Sequence, residues 1–308
     1  MKILVSGGAG FIGSQVAQAY VEAGHQVVVL DDLSSGKADN LPAGARLARM
    51  DIADPAAAEL VAQGGFEIIN HHAAQVSVPA SVADPLSDAR SNVLGLINLL
   101  QAGCQAGLKR FIFVSSGGAV YGELPGQPVD ESFPARPLSP YAVGKRSGEL
   151  YLDYFAAHYG LQTVVLRYAN VYGPRQVPHA EAGVVAIFMD RLLAGEPVTI
   201  FRSPDMPRGM KRDYTFVGDV VRANLAALTR GQGVYNIGTG LATDTLSLWE
   251  AVQAAAGRRG GHSFGPVRPG DIAYSALDCA QAAAGLGWRA EHDLAAGLAA
   301  TWAWRVGR

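Results

Sequence analysis

Tyr141 and Lys145 stand four residues apart in "SPYAVGK", a stretch whose pattern predicts a helix. That spacing puts a phenol and an ammonium on one helical face. A phenol ordinarily titrates near ~10; to act as a base near neutrality it must come down by about 3 units, roughly 4 kcal/mol of preferential phenolate stabilisation. A neighbouring ammonium pushes in that direction. The chain writes five lysines against twenty arginines, so a lysine here points to a task that the compact ammonium performs and the broad guanidinium does not. In isolation the pair reads equally well as an i,i+4 surface contact. Its setting after a second motif is what favours chemistry.

That second motif is "SGGAGFIG", with Gly7, Gly10 and Gly13 between an apolar run and a helical one. Glycines at this spacing permit a tight turn, close approach of backbone to a pyrophosphate and close packing of helix on strand, with the helix N-terminus facing the phosphates. Asp31 and Asp32 end the next apolar run, where an acid hydrogen-bonds the adenosine ribose and repels an extra phosphate. NAD is therefore the expected cofactor; Lys37 nearby keeps NADP as a minority option. A nicotinamide ring would add a second positive charge beside Tyr141, and its ribose would receive a hydrogen bond from Lys145. Asp51, in "RMDIAD", reads either as an acceptor for the adenine amino group or as a helix N-terminal acid. His71 and His72 point to opposite faces if they lie on a strand, a poor chelating pair. No histidine shows ligand spacing, and no metal is expected.

These residues need elements to hold them. "MKILVSGG", "HQVVVLDD", "ARLARMD", "FEIINHHAA", "KRFIFVSS" and "TVVLRYANVYG" read as strands, with helical stretches between them, notably 86–107 and 140–159. Gly24 is placed to stop the first helix. The alternation implies an α/β fold, a doubly wound parallel (Rossmann) sheet covered on both faces. The expected division is a NAD-binding domain over 1–172 plus about 213–240, and a smaller, discontinuous α/β lobe for substrate within 173–308, where prolines and glycines become frequent. With 308 residues, net charge −2 and two distant cysteines, Cys104 and Cys279, the composition describes a globular protein of a reducing compartment, expected in the cytoplasm. It shows no basic face for nucleic acid, and no apolar run approaches the ~18 residues of a membrane span.

Taken together, "SGGAGFIG", "VVLDDLSSGK", "HHAAQVSVPAS", "NVLGLINLL", "AVYGE", "SPYAVGK", "LRYANVYGPRQ", "RDYTFVGDV", "YNIGTG", "RPGD" and "LGW" resemble the extended short-chain dehydrogenase/reductase family. Within it they are most similar to the NAD-dependent nucleotide-sugar epimerases and dehydratases, with the UDP-hexose 4-epimerases the nearest branch. The resemblance covers nearly the whole chain. It implies that Tyr141 is the base and Lys145 its partner. It implies that NAD meets Gly7, Gly10, Phe11, Ile12, Gly13, Asp31, Asp32, Ser35, Gly36, Asp51, Ile52, Ala73, Ala74, Gln75 and Asn92 besides the catalytic pair. It also implies that Asn170 contacts the nucleotide-sugar, that Arg212 and Arg268 bind its diphosphate, with Asp271 beside them, and that Ser275 lines the sugar pocket. "MPRGMKRDY" is more basic and less glycine-rich than the usual family loop.

In most relatives the catalytic Ser or Thr stands four residues before the tyrosine of "VYG". Here that position is Gly117, in "VSSGGAVYG". Ser116 is the expected hydroxyl, Ser115 the second choice, and a site relying on Tyr141 without a serine the third. The acid–glutamate pair of the sugar dehydratases is absent, since Gly118 and Ala119 follow, and so is a decarboxylase glutamate. What remains is oxidation at C4 and return of the hydride through a 4-keto sugar. In the 4-epimerases a bulky aromatic at the pocket position excludes N-acetyl sugars. Ser275 there predicts UDP-GlcNAc and UDP-GalNAc as substrates beside UDP-glucose and UDP-galactose; a register slip of one puts Tyr274 there and reverses the prediction. The family analogy adds a homodimer built on helices 86–107 and 140–159. Other readings are a UDP-glucuronate 4-epimerase or another C4-oxidising enzyme and, more remotely, a non-catalytic NAD-binding sensor.

Overall fold

Apolar, β-branched runs alternate with helices along the first half of the chain. The order is β1 (Lys2–Ser6), α1 (Phe11–Glu22), β2 (Gln26–Asp31), β3 (Arg46–Arg49), α2 (Pro55–Gly64), β4 (Ile68–His71), α3 (Val78–Ala83), α4 (Pro85–Ala89), α5 (Gly95–Gln105), β5 (Arg110–Ser116), α6 (Gly117–Val120), α7 (Pro140–Tyr159) and β6 (Gln162–Tyr168). The elements then shorten: β7 (Asn170–Tyr172), α8 (Val184–Ala194), β8 (Val198–Arg202), β9 (Lys211–Phe216), α9 (Val217–Ala227), β10 (Gly233–Ile237), β11 (Ala242–Asp244), α10 (Thr245–Ala256), β12 (His262–Pro266), β13 (Tyr274–Ser275), α11 (Ala280–Gly285) and α12 (Leu294–Val306). This computed structural model describes residues 1–178, 183–267 and 272–307; Arg268 and Asp271 lie outside them.

Seven strands form one parallel sheet in the order β3-β2-β1-β4-β5-β6-β10. Its inner strands β1, β2, β4, β5 and β6 are buried on both faces, as parallel strands under crossover helices must be, while edge strand β3 is partly exposed. Along β1, Ile3 and Val5 join the core beneath α1 and α9 with Tyr20 and Ala223, while Leu4 joins the core beneath α2, α5 and α7 with Leu99, Phe111 and Leu152. Strand order reverses between β1 and β4, so a crevice opens beyond their carboxyl ends, the place where doubly wound sheets bind ligands. A third core, with Phe188, Met189, Trp249 and Trp302, supports the smaller sheets. In one of these β9 carries β7, β11 and β13; in the other β8 pairs with β12.

Two expected elements divide. Helix 86–107 is interrupted by a π-helical turn, Arg90–Leu94, between α4 and α5. The stretch expected as one strand over "TVVLRYANVYG" breaks at Ala169: β6 stays in the large sheet and β7 leaves it to pair with β9. Both breaks lie at the crevice.

Candidate active site

The turn after β1 is shaped by what it cannot accommodate. Gly7 has φ +69°, and a Cβ on it would stand 2.5 Å from the Ala73 amide nitrogen, where the chain leaves β4. A Cβ on Gly13 would lie 2.2 Å from the Gly7 carbonyl oxygen. The first helical bond of α1 runs from the Ser14 amide to Gly10 O, 3.1 Å, leaving the amides of Phe11, Ile12 and Gly13 without an intrahelical partner at a site suited to a pyrophosphate.

The two candidate ribose acids part here. Asp31 is buried, and its Oδ2 accepts from Ala9 N at 2.9 Å inside the glycine turn. Its Oδ1 accepts from Leu33 N at 2.9 Å. Burial raises this carboxyl, and those amides oppose the rise. Asp32 is exposed and closes a local turn with Ser34, 2.8 Å to the amide. Ser35 is exposed beside it. Gly36 lies so close that a Cβ would meet Asp31 Oδ1 at 2.8 Å and Ala9 Cβ at 2.9 Å.

At the far end of the crevice, Asp51 caps Ala53 N (2.8 Å) and pairs with Arg90 (3.2 Å), while buried Ile52 packs beneath Gly95. Asn92, in the π turn, clasps the backbone of Gln75 from both sides: Gln75 N donates to Oδ1 at 3.0 Å and Nδ2 donates to Gln75 O at 3.0 Å. Those bonds fix the Ala73–Gln75 strip along the crevice and account for the interruption of the helix, since π turns allow a side chain to be re-aimed. His71 bonds to Ser6 (Nδ1 to Oγ, 2.7 Å) and stacks on Phe113; burial keeps it neutral, and it takes His72 down to about 3.

Helix α7, which carries the candidate pair, is capped by sequence. Ser139 accepts from Ala142 N at 3.2 Å, Pro140 opens the first turn, and Gly160 closes the helix in the left-handed region. Tyr141 is thereby in the first turn and Lys145 in the second. Lys145 is buried at 4% exposure; its Nζ donates to Val114 O at 2.9 Å and stands 5.8 Å from the Tyr141 ring centre. Burial brings its ammonium down to about 8, with Asp88 and then Glu149 opposing. The expectation of a depressed phenol is not met by the protein's own groups. Burial pushes Tyr141 up to about 12, against the lowering by its hydrogen bond with Ser116, and the charge of Asp88 adds to the rise.

The two serines at the end of β5 face different partners. Ser115 is buried and donates to Glu149 Oε1 at 2.7 Å, and Glu149 is held by Arg167 at 2.6 Å. Ser116 bonds with Tyr141. A Cβ on Gly117 would come within 2.6 Å of Leu277 Cδ1, so a side chain there requires Leu277 to move. A Cβ built on Gly118 would find Asn170 Oδ1 at 3.2 Å, Ser275 Oγ at 3.9 Å and Ser116 Oγ at 4.0 Å. Three residues from three strands therefore converge on one bare Cα.

The small sheet brings the candidate substrate residues together. Ser275 on β13 is the register partner of Arg212 on β9, and Asn170 on β7 is the partner of Tyr214 on the same strand. Ser275, not Tyr274, turns toward Gly118. Arg212 is half-buried, with Nη1 donating to Lys211 O at 2.9 Å. Besides Glu149, the buried acids Asp213 and Asp88 stand close to these residues and carry no motif in the sequence. Asp213 accepts from Thr239 N and Oγ1 and from Gly240 N, fixing the turn after β10 beside the site. Asp88 accepts from the Gln75 and Asn92 side chains. Its only sequence signal was the i,i+4 spacing to Asn92. Among the described residues no cluster of His, Cys, Asp and Glu is arranged to hold a metal ion, and no helix is long and apolar enough to cross a membrane.

Comparison with known proteins agrees with this geometry. The model of the NAD dependent epimerase/dehydratase family matches residues 3–238. A UDP-glucose 4-epimerase of Mycolicibacterium smegmatis is 44% identical over 308 residues, covering 98% of this chain and 97% of the relative. The crystal structure of the Thermotoga maritima UDP-glucose 4-epimerase with UDP-glucose superposes with a TM-score of 0.95 at 44% identity, over 100% of this chain and 99% of that one. The Thermus thermophilus UDP-glucose 4-epimerase in complex with NAD gives a TM-score of 0.94, also at 44% identity and with the same coverage.

Proposed function

The chain belongs to the NAD dependent epimerase/dehydratase family, and from that premise we propose that it is an NAD-dependent UDP-hexose 4-epimerase interconverting UDP-glucose and UDP-galactose. The observation that carries this reading is the convergence of Ser116, Asn170 and Ser275 on Gly118, with Tyr141 bonded to Ser116. Neutral hydroxyls and an amide suit a sugar. No carboxylate stands among them for a dehydration, and no cation to select the carboxylate of a glucuronate.

NAD fits the crevice: a glycine cradle with no room for a Cβ, free helix-terminal amides and the buried carboxylate of Asp31 match a pyrophosphate and a ribose. NAD bound in this crevice would supply the hydride acceptor and donor for C4, and its cationic ring would add positive charge beside the phenol. Tyr141 removes the proton from the C4 hydroxyl and later restores it, and Ser116 orients that hydroxyl and bridges the transfer. Lys145, as an ammonium, favours the phenolate and donates to the cofactor ribose. Arg212, whose fork suits phosphate oxygens, holds the diphosphate; Arg268 and Asp271, which the resemblance assigns to the same task, lie outside the described residues. Anchoring far from C4 lets the 4-keto sugar turn over without leaving.

Ser275 beside Gly118 leaves space at the sugar, which supports acceptance of UDP-GlcNAc and UDP-GalNAc as well. The enzyme acts as a homodimer through α4, α5 and α7. These helices pack together and, with the π turn between α4 and α5, present Leu86, Leu94, Val143 and Leu150 to solvent, each at least half exposed, an apolar surface that a single copy leaves uncovered. The test is to incubate purified protein, without added NAD, with UDP-galactose and separately with UDP-GalNAc, following the C4 epimers by chromatography. Conversion of both is expected. Conversion of UDP-galactose alone removes the breadth argument. Conversion of neither, even with NAD supplied, overturns the epimerase reading.

A further inference from the structure

The carboxylate of Asp88 lies on α4, outside every role assigned so far, and is 2% exposed. Its Oδ1 accepts from Gln75 Nε2 at 2.8 Å and from Asn92 Nδ2 at 2.9 Å, two neutral amides on the cofactor strip and the π turn. On its other side, Oδ2 stands 3.4 Å from where a Cβ on Gly144 would be. Gly144 lies between Tyr141 and Lys145 on α7, so its bare Cα lets the acid seat against the catalytic turn. We propose that Asp88 is a positioning residue of the epimerase site: it ties the cofactor strip to the catalytic helix and supplies the negative charge that keeps Lys145 an ammonium.

The other charged and titratable groups around this point are accounted for. Glu149 also faces Lys145, but its charge is taken up by Arg167 at 2.6 Å and Arg146 at 2.8 Å. His71 and His72, from β4, are neutral and bring no anion. Arg90, next but one on the chain, is engaged by Asp51 and Asp54, and Asp84 caps α4 through Ser87 N. Among the described residues, Asp88 thus carries the one nearby negative charge without a cation in contact, and its influence reaches both members of the pair. It raises Lys145, countering burial, and it raises Tyr141.

The inference rests on the proposed function, so the test has two readouts. For wild type and Asp88→Asn, the pH dependence of kcat is measured with UDP-galactose. In parallel, the bound cofactor retained by the holoenzyme after desalting is followed across the same pH range by absorbance. Removing the charge lowers both pKa values. Both limbs of the pH profile, which report the coupled titration of Tyr141 and Lys145, should move to lower pH by about 1 unit, with KM unchanged. Loss of cofactor at high pH should begin earlier by a similar interval. Gly144→Ala, whose methyl meets Asn92 Cβ at 3.2 Å and Asp88 Oδ2 at 3.4 Å and so presses on the Asp88–Asn92 pair while keeping the charge, should give a smaller shift in the same direction, and it serves as the probe if Asp88→Asn does not fold. A lowered kcat with both limbs and the cofactor profile unmoved would mean a merely structural acid and overturn the proposal. An inactive wild type would overturn the epimerase reading alone, because the cofactor profile still reports on Asp88 and Lys145.

Discussion

The hydroxyl of Ser115 donates to Glu149, which closes on Arg167, whose guanidinium in turn reaches the Tyr121 hydroxyl at 2.8 Å. Ser116, one residue on, points away from that network to the Tyr141 hydroxyl. Adjacent residues of a strand point to opposite faces, so the choice between two neighbouring serines becomes a choice between stability and chemistry. Ser116→Ala should lower kcat by about 100-fold, the smaller end of what a positioned proton-transfer group contributes, with cofactor content and melting temperature unchanged. Ser115→Ala should keep kcat within a few-fold and cost about 1–3 kcal/mol for the lost bond to a buried carboxylate. Steady-state rates and denaturant unfolding of the two variants check this, and reversed effects would assign the catalytic hydroxyl to Ser115.

A turn and an interrupted helix bring the cofactor surfaces into line. The Gly7–Gly13 turn admits no side chain at its crossing points, and the π turn lets Asn92 clasp Gln75. Gly13→Ala places a methyl 2.2 Å from the Gly7 carbonyl, a contact that only a backbone shift relieves. We expect the variant to be destabilised by about 1–3 kcal/mol, as overpacking is, and to emerge from purification without its cofactor. Absorbance of the released nucleotide measures the second effect; normal cofactor content would show that the turn tolerates opening. The glycine spacing was legible because it is a local steric requirement. The π turn was not, since the apolar periodicity of 86–107 is almost the same with or without one extra residue in a turn.

At the scale of the molecule, the seven-stranded sheet sets the crevice and the small sheet closes over it with Asn170, Arg212 and Ser275. The helices on the outer side leave an apolar face. Placing glutamates at two of its exposed positions, Leu86→Glu with Leu150→Glu, should halve the mass seen by light scattering on a sizing column while leaving each copy folded, because neither side chain belongs to a core. An unchanged mass would put the contact between copies elsewhere or show that there is none.

The chain's own pattern determined the doubly wound fold, the glycine turn, the Tyr141–Lys145 pair and the cofactor class, because each follows from contacts within a few residues or from a short periodicity. Only the tertiary structure decided which serine faces Tyr141, which of Tyr274 and Ser275 turns toward Gly118 and which of Asp31 and Asp32 enters the turn. Each of these pairs consists of neighbours that composition treats alike, and the register of a strand or the path of a loop separates them. The ionisation of the catalytic pair belongs to the structure as well. Spacing alone predicts that a lysine lowers a phenol, but burial, joined by the charge of Asp88, raises Tyr141, and burial lowers Lys145 against the opposing charges of Asp88 and Glu149. Desolvation depends on everything packed around a group, and that is set only when distant segments of the chain have come together.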